Sequence, residues 1–314
     1  MEEWAVVFPG QGSQSVGMAR DVAEISAGAR DVFSRANDVL GIDITRLCFE
    51  GPAEELGRTD IQQPAIFVAS VAIWEAFLEA GGSRDRFVRT GGLSLGEYTA
   101  LYVAGSMEFE DALRLVRRRG ELMQEAALAV PSGMVSLIGA SEESAAAVCD
   151  DARGTDVLVA ANFNCPGQIV LSGTKAACER AVESAENHAV RAVPLAVAGA
   201  FHSPLMQPAA DRLAEVLEAT PMNRAAISVI ANADAEYHGD PDRIRDALRR
   251  QLTEPVLWER CVRRMIDDGT GTFVEVGPGR VLTALLRKID RDKNGISVNS
   301  QATLTSITAD TTAR

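Results

Sequence analysis

The most informative stretch of the chain is Gly91-Gly92-Leu93-Ser94-Leu95-Gly96-Glu97-Tyr98, which places a serine between glycines. It stands where an apolar segment, Phe87 to Leu93, gives way to a helical pattern. A serine hydroxyl is a weak nucleophile unless a neighbouring base takes its proton and the backbone points it at a substrate. A sharp strand-to-helix turn provides that backbone setting, and the amide after the serine opens a helix suited to a developing oxyanion. Ser94 is therefore a candidate nucleophile, although such Gly/Ser turns are as often purely structural.

A serine nucleophile needs a base, and histidine is the usual one because its proton exchanges near neutral pH. The chain has three histidines. His188 ends a polar helix pattern, and His238 lies among residues typical of a loop. His202 stands in Ala198-Gly199-Ala200-Phe201-His202-Ser203-Pro204, a strand-to-helix junction between two segments of different texture. We therefore favour His202 as the base; the alternative is a partly buried histidine with a structural role.

The order of the apolar segments predicts an α/β fold. Short apolar strands alternate with amphipathic helices over residues 1–130 and again over 198–290, which is typical of one large domain with a mainly parallel sheet. Residues 131–197 follow the order βαββαβ instead, which predicts a small ferredoxin-like subdomain inserted in the larger one. Residues 291–314 are largely polar and rich in Thr and Ser, so we expect a flexible tail.

Composition and charge argue against several classes of protein. The chain of 314 residues is 46% hydrophobic and 24% charged, as in an ordinary globular protein, and its net charge of −13 disfavours nucleic-acid binding. The five cysteines are scattered without a C-x-x-C pair, so disulfides and a metal site are not expected and a reducing cytoplasm fits best. The acidic start, Met1 to Trp4, leads into a strand pattern, and no apolar run approaches the ~20 residues of a membrane span. We expect neither a secretory signal nor a membrane segment.

Five distinct motifs stand at separated positions along the chain. They are Phe8-Pro9-Gly10-Gln11-Gly12-Ser13-Gln14, Ser94-Leu95-Gly96-Glu97-Tyr98, Arg119-Gly120 with Met123-Gln124, Gly199-Ala200-Phe201-His202-Ser203, and Glu275-Val276-Gly277-Pro278-Gly279. In these motifs the chain resembles the malonyl-CoA:acyl carrier protein transacylases, the acyltransferase family of fatty-acid and polyketide synthesis. The resemblance covers about residues 4–289. It implies a large α/β-hydrolase-like domain together with the inserted small subdomain.

The resemblance implies a role for each matching residue. Ser94 would be the acylated nucleophile and His202 the base that activates it. The backbone carbonyl of Gln251 would orient the imidazole, which is the task of the carboxylate in a Ser-His-Asp triad. The backbone amides of Gln11 and Leu95 would form the oxyanion hole.

The same resemblance implies a malonyl substrate. Arg119 would bind the free carboxylate of malonyl through two parallel hydrogen bonds; the alternative is that Arg119 belongs to a solvated helix face. Phe201 resembles the aromatic residue that limits room for a 2-methyl branch, and Asn162, together with Gln168, would line the cleft. Leu93 departs from the family, in which histidine usually precedes the nucleophile, and this bears on the acyl preference.

The implied reaction is a two-step transfer without a cofactor, from malonyl-CoA to the phosphopantetheine thiol of an acyl carrier protein, by a monomer. The carrier protein is acidic in this family, and two basic sets could dock it. They are the face Arg114, Arg117 and Arg118, and the later set Arg280, Arg287, Lys288, Arg291 and Lys293. The alternatives are a trans-acting polyketide acyltransferase or editing acyl hydrolase with another acyl preference, an α/β-hydrolase esterase or thioesterase, and a non-catalytic docking subunit. A plain hydrolase carries its histidine late in the chain, after an acidic residue.

Overall fold

The structure is a computed structural model that describes residues 3–312, with side chains through residue 308. Its strands are β1 (Glu3–Phe8), β2 (Phe87–Gly92), β3 (Ser132–Ala140), β4 (Leu158–Cys165), β5 (Gly167–Thr174), β6 (Arg191–Pro194), β7 (Ser228–Ile230), β8 (Tyr237–His238), β9 (Thr270–Val276) and β10 (Asn294–Val298). Its α-helices are α1 (Arg20–Ile25), α2 (Ala27–Leu40), α3 (Ile44–Glu50), α4 (Ala53–Leu56), α5 (Thr59–Glu79), α6 (Gly96–Val103), α7 (Phe109–Ala129), α8 (Glu142–Arg153), α9 (Lys175–Ala185), α10 (Gln207–Ala219), α11 (Pro241–Gln251), α12 (Trp258–Asp267), α13 (Val281–Ile289) and α14 (Gln301–Thr312).

The larger sheet has the strand order β10-β9-β1-β2-β7-β8 and is parallel except for β8, which pairs antiparallel with β7. The prediction of an α/β fold with a mainly parallel sheet is therefore confirmed. In such a sheet the carboxyl ends of neighbouring strands meet at one edge, and functional side chains collect there. Ser94 follows the end of β2, and the Gly10–Gln14 turn follows the end of the adjacent β1.

The smaller sheet is a separate antiparallel sheet with the strand order β4-β5-β3-β6. Helices α8 and α9 pack on it and enclose a core of its own, built from alanine, valine and leucine side chains. Two backbone hydrogen bonds join this unit to the rest of the chain: Phe163 donates to the Val256 carbonyl at 2.9 Å, and Val256 donates to the Ala161 carbonyl at 2.8 Å. They tie the edge strand of the smaller sheet to the segment just before α12.

Helix α5 lies in the centre of the main core. Its length and composition would allow it to cross a bilayer, but 89% of the apolar stretch is buried inside the protein. Helix α7 crosses it closely because residue 120 is glycine: a Cβ there would lie 2.9 Å from the Thr59 carbonyl oxygen. This approach brings Arg119 of α7 beside Gln63 of α5, with 2.6 Å between their side chains.

The end of the chain corrects the expectation of a flexible tail over residues 291–314. Strand β10 extends the larger sheet in register with β9, and α14 follows it. Val298, Leu304 and Ile307 are at most 4% exposed, so the segment buries apolar side chains despite its Thr/Ser-rich composition. Residues 313 and 314, like 1 and 2 at the other end of the predicted large domain, lie outside the described residues.

Candidate active site

Ser94 lies in the sharp turn between β2 and α6, as its flanking glycines predict. Its φ is +50°, a left-handed conformation that a residue with a side chain rarely adopts. Gly96 is needed at the start of α6, since a Cβ there would lie 2.0 Å from the carbonyl oxygen of Phe8. The turn therefore packs directly against the end of β1 and projects the serine from the strand end. A strained residue held in this way marks a candidate functional position.

His202 contacts Ser94 directly: its Nε2 lies 2.8 Å from the serine Oγ. The other ring nitrogen, Nδ1, lies 2.6 Å from the main-chain oxygen of Gln251. A carbonyl oxygen can only accept, so Nδ1 carries the hydrogen and Nε2 presents its lone pair to the serine hydroxyl. The structure thus brings together the nucleophile, base and orienting carbonyl that were expected from the sequence. The hydrogen-bond chain Ser94–His202–Gln251 is able to move a proton.

The imidazole of His202 is poised in its neutral form. It is 4% exposed. Burial and, second, the positive charge of Arg119 lower its pKa from 6.5 to about 4, while the hydrogen bond to the Gln251 carbonyl opposes the shift. A neutral imidazole is the form that accepts a proton, so His202 is available as a base at neutral pH.

Arg119 is buried beside this pair, at 1% exposure, and does not belong to a solvated face. Its Nη1 donates to Gln63 Oε1 at 2.6 Å, and its Nη2 donates to Ser94 Oγ and to Gln251 Oε1, both at 2.9 Å. Burial lowers its pKa. Among the described residues its hydrogen-bond acceptors are neutral oxygens, and its Nε has no partner. Because Oγ accepts from Arg119, the serine proton is left to point at His202.

A cavity of about 340 Å³ opens onto Ser94 and His202 between the two sheets. Six of the residues expected at the site line it: Gln11, Leu93, Ser94, Asn162, Phe201 and His202. The remaining wall is largely apolar and includes Met134, Val170, Leu195 and Val197. Leu95 is fully buried and outside the lining, and its main-chain position precedes α6.

The two basic sets differ in their surroundings. On α7, Arg114 pairs with Asp111, Arg117 with Glu121, and Arg118 with Glu121 and Glu125, so that face is largely neutralised. On and before α13, Arg280, Arg287 and Lys288 are exposed and form no ion pair within the part of the chain that the structure describes. Helix α13 packs against β4, the strand that carries Asn162. The positive charges of the α13 set are thus less neutralised by nearby carboxylates than those of α7.

Sequence reasoning missed the polar side chains that support this site. Asn232, Glu97 and Gln63 are each at most 4% exposed and hydrogen-bond to the Ser94 turn, to Gln251 or to Arg119. Glu97 was visible in the serine motif, but nothing in the local pattern indicated that its side chain points inward. The other two histidines lie apart from Ser94: His188 pairs with Asp151 and His238 with Asp234.

Comparison with known proteins places the chain in a family. The profile of the acyl transferase domain matches residues 5–311. The Bacillus subtilis protein "Malonyl CoA-acyl carrier protein transacylase" is 43% identical over 97% of this chain and 96% of its own length. A crystal structure of an acyl carrier protein S-malonyltransferase from Vibrio cholerae is 43% identical, covers 97% of this chain and 99% of its own, and superposes with a TM-score of 0.93. A malonyl-transacylase solved with a type II PKS acyl-carrier protein is 42% identical, with a TM-score of 0.94 over 98% of this chain and 99% of its own.

Proposed function

The chain belongs to the acyl transferase domain family, and we propose that it moves a malonyl group from malonyl-CoA to the thiol of an acyl carrier protein. The relatives that match it over nearly its full length carry that name. Within the site, the proposal rests on the chain of hydrogen bonds Ser94–His202–Gln251 and on the buried arginine, Arg119, beside it. The editing hydrolase and the non-catalytic subunit are not favoured.

In the first step Ser94 Oγ attacks the thioester carbonyl carbon while His202 Nε2 takes the hydroxyl proton. The resulting tetrahedral oxyanion collapses with cleavage of the C–S bond, and His202 returns the proton to the departing thiolate of CoA. In the second step the carrier's thiol gives its proton to His202 and its sulfur attacks the acyl-serine. Serine leaves and recovers the proton. The net reaction exchanges one thioester for another and needs no external oxidant or reductant.

The amides of Gln11 and Leu95 are our proposed donors to the oxyanion. The Leu95 amide follows the nucleophile and opens α6, where unpaired N–H groups and the helix dipole favour negative charge. Gln11 lines the same cavity from the turn after β1. Donors fixed in advance stabilise charge that develops only in the transition state, which is why they accelerate the reaction.

Arg119 is the proposed site for the malonyl carboxylate. A guanidinium can bind a carboxylate through two parallel hydrogen bonds. Its described hydrogen-bond acceptors are neutral, and one of them is the nucleophile itself, so a carboxylate on the acyl group would replace weaker contacts beside Ser94. Leu93, Phe201 and Asn162 line the cavity and would shape the remaining acyl pocket.

An acidic carrier protein would dock on the exposed basic set of α13, Arg280, Arg287 and Lys288. The small unit resembles a ferredoxin-like subdomain, since β3-α8-β4-β5-α9-β6 has the order βαββαβ and all its pairings are antiparallel. In this proposal the small subdomain comprises residues 131–197, and the large domain is α/β-hydrolase-like. A cytoplasmic monomer that acts without a cofactor, a membrane or nucleic acid also stays part of the proposal.

The experiment that tests the nucleophile is intact-mass analysis after incubation with malonyl-CoA. The wild-type chain should carry one malonyl adduct, and Ser94→Ala should carry none because the attacking oxygen is gone. His202→Ala is the matched variant, since it keeps the hydroxyl and should form the adduct slowly. An adduct that persists on Ser94→Ala would end this assignment.

Transfer is separated from hydrolysis by following CoA release in time. The proposal predicts one rapid equivalent of CoA, slow turnover with water, and rapid turnover once carrier protein is added. An esterase or thioesterase would instead turn over steadily without the carrier.

A further inference from the structure

The strained turn at Ser94 is held by one buried side chain from a distant part of the chain. Asn232, which is 0% exposed, accepts the Ser94 N–H on its Oδ1 at 2.6 Å. Its Nδ2 donates to the Gly92 carbonyl at 2.8 Å. The amide therefore bridges both sides of the turn and satisfies backbone groups that the positive φ of Ser94 leaves without partners inside the turn.

The same asparagine is connected to the element that orients the base. Glu97 Oε2 accepts from the Asn232 main-chain N–H at 2.9 Å and from Gln251 Nε2 at 2.7 Å. Gln251 Nε2 also donates to the Ser94 carbonyl at 3.0 Å, and the Gln251 carbonyl accepts from His202 Nδ1 at 2.6 Å. One carboxylate oxygen thus joins the nucleophile turn, the loop after β7 and the end of α11.

We propose that Glu97 and Asn232 are positioning residues that hold the Ser94 hydroxyl and the His202 imidazole at the distance needed for proton transfer. The proposal rests on the function given above and concerns how its site is built. The nucleophile and the base come from elements that are 108 residues apart in the chain, so their separation depends on what links those elements. A buried carboxylate with two N–H donors is a stiff link, because every alternative position would leave polar groups unpaired.

The location of Glu97 is otherwise unfavourable for a carboxylate. It is 2% exposed, and burial raises its pKa to about 7, while its hydrogen bonds from Asn232 and Gln251 lower it. Among the described residues its side chain forms no ion pair. A carboxylate held at such a cost and bonded to both halves of the site is consistent with a positioning role.

The test is single-turnover acylation by malonyl-CoA, read as rate constant, amplitude and half-saturating concentration. Glu97→Leu removes the acceptor at similar volume and should lower the rate constant about 100-fold, because small displacements of reacting groups have effects of that order. Amplitude per folded molecule and half-saturating concentration should stay unchanged. Glu97→Gln keeps an oxygen able to accept both N–H groups, and it should restore the rate constant to within about threefold of wild type.

Glu275→Leu is the matched control. Glu275 is a second buried carboxylate that accepts two main-chain amides, from Leu282 and Thr283, but it lies outside this network. Its replacement should lower thermal stability and leave the acylation rate constant unchanged. Asn232→Ala should lower the acylation rate constant to about the same extent as Glu97→Leu. The double variant should lose no more than about the larger single loss, since the Asn232 side chain and the Glu97 carboxylate act in series, and removal of either interrupts the connection between the Ser94 turn and Gln251.

The proposal is overturned if Glu97→Leu and Asn232→Ala leave the acylation rate constant unchanged, as Glu275→Leu should. It is also overturned if the fold-losses in rate constant of the two single variants multiply in the double variant Glu97→Leu with Asn232→Ala. Should Asn232→Ala fail to fold, Asn232→Asp replaces it: it keeps the acceptor for Ser94 and removes the donor to Gly92, and about a 10-fold loss in rate constant is expected. A rate constant unchanged in that variant also overturns the proposal. Failure of the proposed function is distinguishable, because it would show as an adduct that survives Ser94→Ala.

Discussion

His202 differs from a free histidine in a way that affects the pH dependence of the reaction. In the proposed mechanism the neutral imidazole accepts the serine proton, so the rate of serine modification should fall as pH decreases through the pKa of His202. That pKa is lowered to about 4, mainly by burial. The rate constant for reaction with a neutral serine-directed electrophile, phenylmethylsulfonyl fluoride, should therefore be level from pH 8 to about pH 5 and decline near pH 4.

A decline centred near the ordinary histidine value of about 6.5 would contradict this expectation. The contribution of Arg119 can be tested in the same assay. Its positive charge is the second cause of the lowered pKa. Arg119→Gln removes that charge at similar length, so the midpoint should move to higher pH.

Arg119 should also decide between malonyl and acetyl groups. Arg119→Ala should reduce kcat/KM for malonyl-CoA by about 100-fold more than for acetyl-CoA, since binding of the free carboxylate to a buried guanidinium is worth about 2–3 kcal/mol. Both rates will decrease somewhat, because Arg119 also contacts Ser94 Oγ. Arg263→Ala, which removes an arginine from a surface ion pair with Glu259, is the control and should change neither rate. Equal losses for the two substrates would refute the carboxylate role.

Helix α13 is the element on which we propose that the carrier protein docks. Its inner face buries Leu282, Leu285 and Leu286, and its N-terminal amides are held by the carboxylate of Glu275. Its last turn exposes Arg287 and Lys288. The basic side chains are thus displayed from a firmly anchored helix near the strand that carries Asn162.

Reversal of both charges, Arg287→Glu with Lys288→Glu, should raise the KM for carrier protein about tenfold or more at low salt and leave acylation by malonyl-CoA unchanged. The effect should shrink as ionic strength rises, because exposed charges are screened. Arg114→Glu on α7 is the matched comparison, since that arginine already pairs with Asp111. If only Arg114→Glu raises the KM, the dock lies on α7 instead.

At the scale of the whole molecule, the C-terminal strand and helix are part of the folded core. Leu304 of α14 is 2% exposed. Leu304→Ala should therefore reduce the free energy of unfolding by about 2–5 kcal/mol, as for other large-to-small changes at buried positions. Ser306→Ala, on the exposed side of the same helix, should have little effect. Urea unfolding of the two variants measures the difference, and equal stabilities would mean that α14 does not pack as described.

Local patterns were sufficient for much of the fold and for part of the site. The serine turn, the strand–helix alternation and the βαββαβ order depend on contacts between near neighbours in sequence. The prediction of a flexible C-terminal tail was wrong because the segment is Thr/Ser-rich overall and has only a few apolar side chains that pack on the sheet and on α5. These are Val298, Leu304 and Ile307. For the same reason the sequence could not say that Arg119 is buried while Arg117 and Arg118, its neighbours, face glutamates on the surface.

What the amino-acid sequence determined by itself is the class of fold, the turn that presents Ser94, and the choice of His202 from three histidines. What only the tertiary structure decided is the distance of 2.8 Å between them, the burial of Arg119, and the buried link through Glu97, Asn232 and Gln251. The physical reason is the distance along the chain over which each interaction acts. Backbone propensity and apolar periodicity act over a few residues, whereas pKa values and hydrogen-bond geometry depend on groups that meet only after distant elements have packed.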